Sequence, residues 1–352
     1  MISDIILIKY NAKLYKIAID YNNQFVSDDN SISGEVIKHN NLIINLLING
    51  HYETFVHKKL HNVYEHIPYC NYDGKRVINI YVGGGLGNQL FQYAFAQYLT
   101  KHYECRDSVI CYNTTWFRKE ECNREYQLDK FKLNDNVKIS NILQNYISLN
   151  NITFESGLDG IKTNLDNTLI KPDDISLSGY WQRWEYIKDN IEELRECFTL
   201  KEDITDETFL NIKNKIKSAK QSCSVHIRRT DYLENKHIYS MLDIDYYVKG
   251  IEYLKHLYGD IEFFCFSDDI EWCKIAFSKF KNIHFVEDTK SDIHDFELMQ
   301  SCNHNIIANS TFSWWAALLN SNAEKRVIAP KSWYMFDHNL FQFGCDGKCI
   351  LV

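Results

Sequence analysis

The sequence predicts an α/β protein in which two lobes built on parallel sheets follow a small β-rich N-terminal module. Three observations support this class. Short β-type runs separated by asparagine-rich turns fill the first 74 residues, a strand–glycine turn–helix unit follows, and the last third of the chain repeats strand and helix with little interruption. We therefore predict a β-rich accessory module over 1–74, an N-terminal lobe over 75–205 and a C-terminal lobe over 206–352.

The composition is that of a globular protein with a sizeable core and an acidic surface. Of 352 residues, 45% are hydrophobic, and 39 Lys and Arg stand against 47 Asp and Glu, for a formal charge of -8. This balance argues against general nucleic-acid or anionic-membrane binding, so any phosphate site must be local. No apolar run approaches the ~18 residues of a membrane span. Met1–Tyr10 carries Asp4 and does not resemble a signal peptide. The 11 scattered cysteines are expected to be mostly reduced, and we predict a cytoplasmic location.

The N-terminal module reads as short antiparallel strands. Asn49-Gly50 is its clearest hairpin signal. No chemistry-bearing pattern is present, so we expect a packing or acceptor-binding appendage. The predicted strands are Ile5–Tyr10, Leu14–Asp20, Glu35–His39, Leu42–Ile48 and Tyr52–His57.

The next unit is a predicted strand, Arg76–Val82, a glycine turn and an amphipathic helix, Leu90–His102. This is the first half of a Rossmann-like unit. A dinucleotide fingerprint would need glycine at position 88, where Asn88 stands instead. Asp107 lies at the distance expected of a ribose-binding carboxylate, so an NAD-dependent oxidoreductase stays open as an alternative. The glycines are also explained by a tight turn alone.

The remaining elements follow from periodicity. Ile175–Gln182 is predicted as a strand that leads into an aromatic turn, and a helix over Tyr186–Phe198 follows. In the last segment, four strands each precede a helix and a fifth closes the set, which predicts a doubly wound parallel sheet. These strands and helices are Val225–Ile227 and Ile244–Tyr258, Ile261–Phe266 and Ile270–Phe280, Ile283–Val286 and His294–Cys302, Asn305–Ala308 and Phe312–Leu319, and Arg326–Ala329.

Two adjacent arginines follow the first strand of this sheet, at the edge where ligands bind in open α/β folds. Guanidinium groups match phosphate geometry. Because side chains alternate along a strand, His226 and Arg228 share one face and Arg229 points to the other. We assign a phosphate ligand to Arg228, and either a second phosphate or an internal carboxylate to Arg229. The alternative is a buried salt-bridge cluster around Asp231.

Two further loops open on the same edge. Asp268 and Asp269 follow the second strand, where a carboxylate can accept two N–H groups of guanine; helix capping is the alternative, favoured for Asp269. Ser310 and Thr311 begin a helix and form a candidate anion cradle, again with capping as the alternative. Trp314 and Trp315, further along the same motif, fit core positions. Together the three loops fit a nucleoside diphosphate carrying a purine.

The motifs resemble those of glycosyltransferase family 11, the α-1,2-fucosyltransferases, which are relatives of the α-1,6- and protein O-fucosyltransferases. The resemblance runs from about residue 76 to 335 and does not cover 1–74. It rests on five motifs in the family's order: Gly84–Gly–Leu–Gly–Asn–Gln–Leu–Phe–Gln–Tyr–Ala94, Gly179–Tyr–Trp–Gln182, His226–Ile–Arg–Arg–Thr–Asp–Tyr232, Ser267–Asp–Asp269 and Asn309–Ser–Thr–Phe–Ser–Trp–Trp315.

The resemblance implies a GT-B-like pair of lobes, GDP-β-L-fucose as donor, inversion at the sugar, transfer to a glycan hydroxyl in α-1,2 linkage, and no metal or other cofactor. By motif, Arg228 contacts the pyrophosphate, and Asn88 sits near the reacting centre. His226 and Asp268 contact the guanosine, and Ser310, Thr311 and Phe312 contact the phosphates. Residues that bind the nucleotide do not determine which sugar it carries, so another nucleotide-deoxysugar remains an alternative donor.

The candidate site therefore combines residues from several motifs. Catalysis is assigned to Arg228, Asn88 and Asp231, with Asp231, Asp295 and Glu297 as candidates for the general base. A metal-dependent rival would use Asp243 and Asp245 as a DxD pair, although both precede a helix and fit capping. A binding module without turnover is a further alternative. The expected partners are a nucleotide-sugar donor, a glycan acceptor and, in a homo-oligomer, further copies of the chain. The donor-binding set is His226, Arg228, Arg229, Asp268, Ser310, Thr311, Phe312, Gly85 and Gly87.

Overall fold

Three sheets in sequence order organise the chain. The computed structural model describes residues 2–10, 13–39, 43–48, 51–58, 63–67, 76–102, 108–118, 122–134, 137–140, 152–154, 175–235, 237, 239–333 and 349–352. Within these ranges, one closed sheet of the N-terminal module precedes two open parallel sheets. The α/β class predicted from the sequence is confirmed, as is the GT-B-like pair of lobes with parallel sheets.

The N-terminal module is a small barrel. Its neighbouring strands pair antiparallel in chain order, and a parallel pairing of the first strand with the last closes it. Buried aliphatic residues such as Ile8, Ile17 and Leu46 fill the interior. Two strands, β3 and β7, were not predicted. The strands are β1 Ile2–Tyr10, β2 Lys13–Asp20, β3 Gln24–Ser27, β4 Ser33–His39, β5 Ile43–Ile48, β6 His51–Lys58 and β7 Val63–Ile67.

The predicted hairpin of this barrel is consistent with the strand register. Ile48 of β5 lies opposite His51 of β6, as a two-residue connection requires. Asn49-Gly50 itself lies outside the described residues. The missed β3 has only four residues, which gives an alternating pattern too little length to stand out.

The first parallel sheet has the strand order β10-β9-β8-β12-β11. The strand and aromatic turn predicted over 175–182 are both present: the strand ends at Ser178, and Trp181 in the turn has a left-handed φ of 55°. The predicted helix over 186–198 is a pair of 3₁₀ turns followed by a short α-helix. The elements are β8 Arg76–Tyr81, α1 Leu86–His102, β9 Ser108–Asn113, β10 Val137–Ser140, β11 Ile152–Phe154, β12 Ile175–Ser178 and α2 Ile191–Cys197, with 3₁₀ turns at Thr115–Arg118, Leu128–Lys130, Trp184–Tyr186 and Lys188–Asn190.

The second parallel sheet has the strand order β15-β14-β13-β16-β17-β18, with β13 buried along its whole length. The five predicted strands are present, and β18 adds a sixth at the edge. A short helix, α4, directly follows the arginine pair. The elements are α3 Glu207–Ser218, β13 Ser222–Ile227, α4 Thr230–Glu234, α5 Ile244–Tyr258, β14 Glu262–Ser267, α6 Ile270–Ala276, β15 Ile283–Phe285, α7 Asp292–Gln300, β16 His304–Ile306, α8 Thr311–Leu319, β17 Val327–Ala329 and β18 Cys349–Leu351.

The two lobes share an aromatic core between α1 and α8. The Phe91 ring stacks on Trp314 at 4.9 Å and meets the edge of Trp315 at 5.1 Å. Phe198, after α2, meets Trp315 at 5.3 Å. Both tryptophans are buried, which confirms the core positions predicted for them. We name this contact the interlobe aromatic core; it fixes where the N-termini of α1 and α8 meet.

The cysteines of the described segments are mostly free, as predicted. Cys349 differs, because it is disulfide-bonded. No helix in the part of the chain that the structure covers is long and apolar enough to cross a membrane. The free cysteines are Cys111, Cys122, Cys197, Cys223, Cys265, Cys273 and Cys302.

Candidate active site

A cavity of about 320 Å³ lies between the two lobes, at the carboxyl ends of β13 and β14. The first lobe contributes the start of α1, Arg124 and the turn after β12. The second lobe contributes the strand ends and the start of α8. The lining residues are Gly85, Leu86, Gly87, Asn88, Arg124, Tyr180, Gln182, His226, Arg228, Asp231, Tyr232, Tyr239, Phe266, Ser267, Asp268, Asp292, Asp295, Asn309, Ser310, Thr311, Phe312 and Trp333. Of the residues assigned to catalysis or to donor binding, only Arg229 is missing from this lining, and of the further candidates for the general base, Glu297 is missing.

Arg228 is held on one edge of its guanidinium. Its Nε and Nη2 donate to the two carboxylate oxygens of Asp231 at 2.8 and 2.7 Å, and Nε lies 3.3 Å from Asp268 Oδ2. The predicted salt-bridge cluster is therefore present, yet Arg228 also lines the cavity. Among contacts within the described ranges, Nη1 makes no hydrogen bond and is left for a ligand. The two interpretations drawn from the sequence coexist.

Arg229 points to the other face of the strand, as the alternation of side chains predicts. Its Nε donates to Asp269 Oδ2 at 3.0 Å, and its guanidinium carbon lies 3.9 Å from the centre of the Trp272 ring. Of the two roles left open, the internal carboxylate is the one observed. Asp269 also caps α6 by accepting from Trp272 N, which confirms the capping role predicted for it.

Asp268 lines the cavity but its carboxylate is already occupied. Oδ1 accepts from Arg229 N at 2.9 Å, and Oδ2 accepts from the amide and hydroxyl of Thr230 at 3.2 and 2.6 Å. With Arg228 Nε also close, Oδ2 has no lone pair to spare. Two parallel bonds to guanine need both oxygens, so this geometry does not favour the base-binding role expected for Asp268. It anchors Arg228 and the start of α4 instead.

His226 is buried and neutral beside Arg228. Burial, aided by the Arg228 charge, lowers the pKa of His226 to about 3. Its Nδ1 is fully buried without a hydrogen-bond partner among the described residues. Buried polar atoms are usually paired, so this nitrogen is available to a group that enters the cavity. The Phe312 ring lies 5.7 Å away on the same wall.

The N-terminus of α8 faces the cavity at Ser310 and Thr311, where the sequence predicts an anion cradle. Ser310 is the N-cap residue but makes no side-chain capping bond, which leaves its hydroxyl for a ligand. The opposite end of α8 is neutralised by buried Lys325, whose Nζ donates to the carbonyls of Ala317, Leu318 and Asn320 at 2.8, 3.0 and 2.8 Å. The first turn of α8 carries no acidic side chain, so the helix itself does not neutralise the positive end of its dipole.

The glycine turn touches α8 directly. A Cβ added at Gly87 would lie 2.5 Å from Thr311 C and 2.6 Å from Phe312 N, so no larger residue fits there. A Cβ at Gly85 would meet nothing within 4 Å, because that position opens on the cavity. Gly85 and Gly87 thus serve different purposes. The first leaves room for a ligand, and the second lets two helix N-termini converge.

Asn88 links the two lobes. Its Oδ1 accepts from Gln182 Nε2 at 2.9 Å and from Thr311 Oγ1 at 3.0 Å. The residue lies in the first turn of α1 and lines the cavity, as expected of a group near the reacting centre. Gln182 belongs to a motif singled out in the sequence, although no role was predicted for it.

The candidates for the general base differ in their surroundings. Both oxygens of Asp231 are engaged by Arg228, which favours an orienting role. Asp295 lines the cavity, and burial raises its pKa to about 6. Its Oδ1 accepts from Thr289 Oγ1 at 2.8 Å. Burial also raises the pKa of Glu297, but that residue does not line the cavity.

The carboxylates of the two alternative functions, the metal-dependent transferase and the oxidoreductase, are not found among the described residues that line the cavity. Asp243 caps α5 by accepting from Tyr246 N at 3.0 Å, as its ordinary explanation predicts, and neither Asp243 nor Asp245 lines the cavity. Asp107, the ribose-binding candidate of an oxidoreductase, lies outside the described residues. The described residues also contain no cluster of His, Cys, Asp or Glu that could hold a metal ion. Metal independence itself remains a prediction.

Several lining residues carried no signal in the sequence. Arg124 comes from the stretch between 107 and 155, whose pattern is mixed. Tyr239 stacks on Tyr232 at 4.1 Å, and Asp292 accepts from Gln127 of the other lobe. Trp333 is the last of these lining residues that the sequence did not indicate. Tyr180 stands two residues before Gln182 in the same motif, so the motif itself was the available signal.

Comparison with known proteins places this geometry in a family. The model of glycosyl transferase family 11 matches residues 53–339. The chain belongs to glycosyltransferase family 11. An α-1,2-colitosyltransferase of Escherichia coli is 32% identical over 276 residues, covering 72% of this chain and 91% of that protein. Human galactoside α-(1,2)-fucosyltransferase 1 is 26% identical over 156 residues, covering 41% and 43% of the two chains.

The solved structures give a weaker likeness. Fucosyltransferase NodZ from Bradyrhizobium matches with a TM-score of 0.47 and 15% identity, covering 70% of this chain and 93% of that one. The fold of this family 11 glycosyltransferase therefore rests on its own strand topology. The family match begins within β6, earlier than residue 76, so it includes the last strands of the barrel.

Proposed function

We propose that this family 11 glycosyltransferase transfers L-fucose from GDP-β-L-fucose to a glycan hydroxyl, with inversion, in α-1,2 linkage and without a metal ion. The observation that carries the proposal is the meeting of Arg228 and the α8 N-terminus in one interlobe cavity. An anchored guanidinium and a helix N-terminus are two devices that bind phosphate. Family membership supplies the reaction class.

The chemistry suits fixed positive groups. Displacement at an anomeric carbon passes through an oxocarbenium-like state while negative charge develops on the departing diphosphate. Groups aimed at that charge before the reaction begins lower the barrier most. In the proposed mechanism, Arg228 Nη1 and the N–H groups at Ser310 and Thr311 receive the leaving phosphate. Asp231 and Asp268 hold Arg228 in place, so its orientation does not have to be found during the reaction.

The purine is best assigned to Asp295 in place of Asp268. One oxygen of Asp295 makes a single hydrogen bond to Thr289, and no bond is found for Oδ2 among the described residues. Because Oδ1 keeps a second lone pair, both oxygens of this partly buried carboxylate can accept from guanine, which offers two N–H donors that adenine and uracil lack together. The unpaired Nδ1 of His226 supplies a further polar contact on the same wall.

A second donor is favoured by one specific observation. The relative named as an α-1,2-colitosyltransferase is 32% identical to this chain and is covered over 91% of its length. A nucleotide-activated colitose is therefore the second candidate donor. The same cavity would bind the nucleotide of either donor, and the cavity residues that contact the sugar would decide between fucose and colitose.

The test is a donor and acceptor screen with the full-length chain. GDP-fucose, the colitosyl nucleotide and UDP-galactose are each offered with β-galactosides, and turnover is read as nucleotide release and product mass. We expect transfer from a GDP-sugar and unchanged turnover in excess EDTA. Turnover that collapses in EDTA and returns with Mn²⁺ would contradict metal independence. Transfer from UDP-galactose alone, or no transfer at all, would contradict the donor assignment.

A further inference from the structure

The turn after β12 holds strained backbone next to the cavity. Trp181 has a φ of 55°, although it is neither glycine nor asparagine. Its ring is fully buried and stacks on Phe95 at 4.1 Å with an angle of 7° between the planes. Gln92 Nε2 donates to the Gly179 carbonyl at 2.9 Å and ties the turn to α1. Strain that the surroundings maintain in this way tends to mark a functional position.

This turn places the side chain of Gln182 within hydrogen-bonding distance of Asn88. Gln182 Nε2 donates to Asn88 Oδ1 at 2.9 Å, while Thr311 Oγ1 of the other lobe donates to the same oxygen at 3.0 Å. A carbonyl oxygen has two lone pairs, so Oδ1 is saturated. The two ends of an amide have the same shape, and their orientation follows from the partners they meet. With both donors on the oxygen, the NH₂ group of Asn88 is directed elsewhere.

The room for that NH₂ group is created by glycine. A Cβ added at Gly84, whose φ is +83°, would lie 2.6 Å from Asn88 Nδ2. No hydrogen bond of Nδ2 is found among the described residues, and Asn88 borders the cavity beside open space at Gly85. An amide fixed in this way can only donate to a ligand, so its partner is an oxygen with a free lone pair.

We propose that Gln182 is a positioning residue: it holds the Asn88 amide so that its NH₂ group donates to an oxygen at the reacting end of the substrates. This inference rests on the proposed function. The oxygen belongs to the transferred sugar or the attacking hydroxyl, because Asn88 stands on the first lobe and the nucleotide groups assigned above stand on the second. Gln182 thereby affects the transfer step and leaves nucleotide binding unchanged.

The test combines two Gln182 variants with a double-mutant cycle. Gln182→Met keeps the length of the side chain and removes the donor, and a misplaced donor at the reacting centre lowers kcat by about 10-fold or more. Gln182→Glu replaces the donor with an acceptor, which turns the Asn88 amide around, so its kcat falls further. GDP affinity, measured by calorimetry, stays within about 3-fold in both. Gln300→Met, on α7 outside the cavity lining, is the matched control and keeps full turnover.

The cycle decides whether Gln182 acts through Asn88. In an Asn88→Ala background, Gln182→Met should change kcat by less than about 2-fold, because the amide it positions is gone. A full loss in that background would mean that Gln182 contacts substrate itself, and would overturn the inference. So would a Gln182→Glu variant as active as the unmodified protein, or a parallel loss of GDP affinity. Absence of turnover in the unmodified protein with every donor would contradict the proposed function and, with it, this inference.

Discussion

Replacing Gly87 with alanine should destabilise the protein even though alanine is the better helix former. Within α1, alanine is favoured over glycine by about 1 kcal/mol. Against this, the new Cβ would lie 2.5 Å from Thr311 C, about 0.9 Å inside the 3.4 Å at which ordinary contact begins. The opposing atoms are backbone, which no rotamer change can move. Overpacking of this kind costs about 1–3 kcal/mol or more, so the contact outweighs the helix gain.

The consequences extend from stability to turnover. Separating α1 from α8 displaces Asn88 and the anion cradle together, so transfer should fall by about 10²-fold, as misplacements of ~1 Å do. Urea unfolding and donor turnover are measured side by side. Gly85→Ala is the matched control, since its Cβ meets nothing within 4 Å, and its unfolding free energy should be unchanged or slightly raised. A Gly87→Ala protein as stable as the control would refute the close approach.

Three further outcomes are expected. Arg228→Ala should lower turnover by ~10²–10³-fold and Arg228→Lys should not restore it fully, whereas an Arg229→Ala control should retain more than a third of the activity; equal losses would contradict the assignment. Ionising Asp295, whose pKa burial raises from 3.8 to about 6, is disfavoured in the folded protein. This penalty is absent below pH 3.8 and complete above pH 6, so Asp295→Asn should raise the unfolding free energy at pH 8 by up to about 3 kcal/mol. In the unmodified protein, the affinity for GDP measured by calorimetry should fall as the pH drops through about 6. In the Asp295→Asn variant the affinity should be weaker and independent of pH. A variant that binds GDP with normal affinity would mean that a group other than Asp295 contacts the purine. Lys325→Met leaves three carbonyls of the α8 end unpaired and should destabilise by about 3 kcal/mol or more in urea unfolding, and an unchanged midpoint would contradict the cap.

The sequence was most informative where chemistry coincides with a strand end. The carboxyl ends of parallel strands meet at one edge, so His226 and Arg228 could be placed together with Ser310 from periodicity alone. Side-chain alternation also separated Arg229 from its neighbour, and the structure confirms that separation.

The carboxylate that we propose for the purine could not be predicted in the same way. Asp268 follows a strand, as a ligand residue does, but it also stands where the start of α4 and two arginines offer several donors. Local donors need no ligand and therefore compete successfully for such a carboxylate. Asp295 lies one turn inside a helix, and only its burial in the cavity distinguishes it. Arg124 belongs to a segment without clear periodicity, so it was not proposed at all.

The interlobe aromatic core has a consequence for recombination within the family. Phe91 and Phe198 come from one lobe, and Trp314 and Trp315 come from the other. Because these rings pack as a protein interior does, each half is shaped for its own counterpart. A chimera that takes one lobe from a relative should pack poorly unless these four aromatic positions travel together.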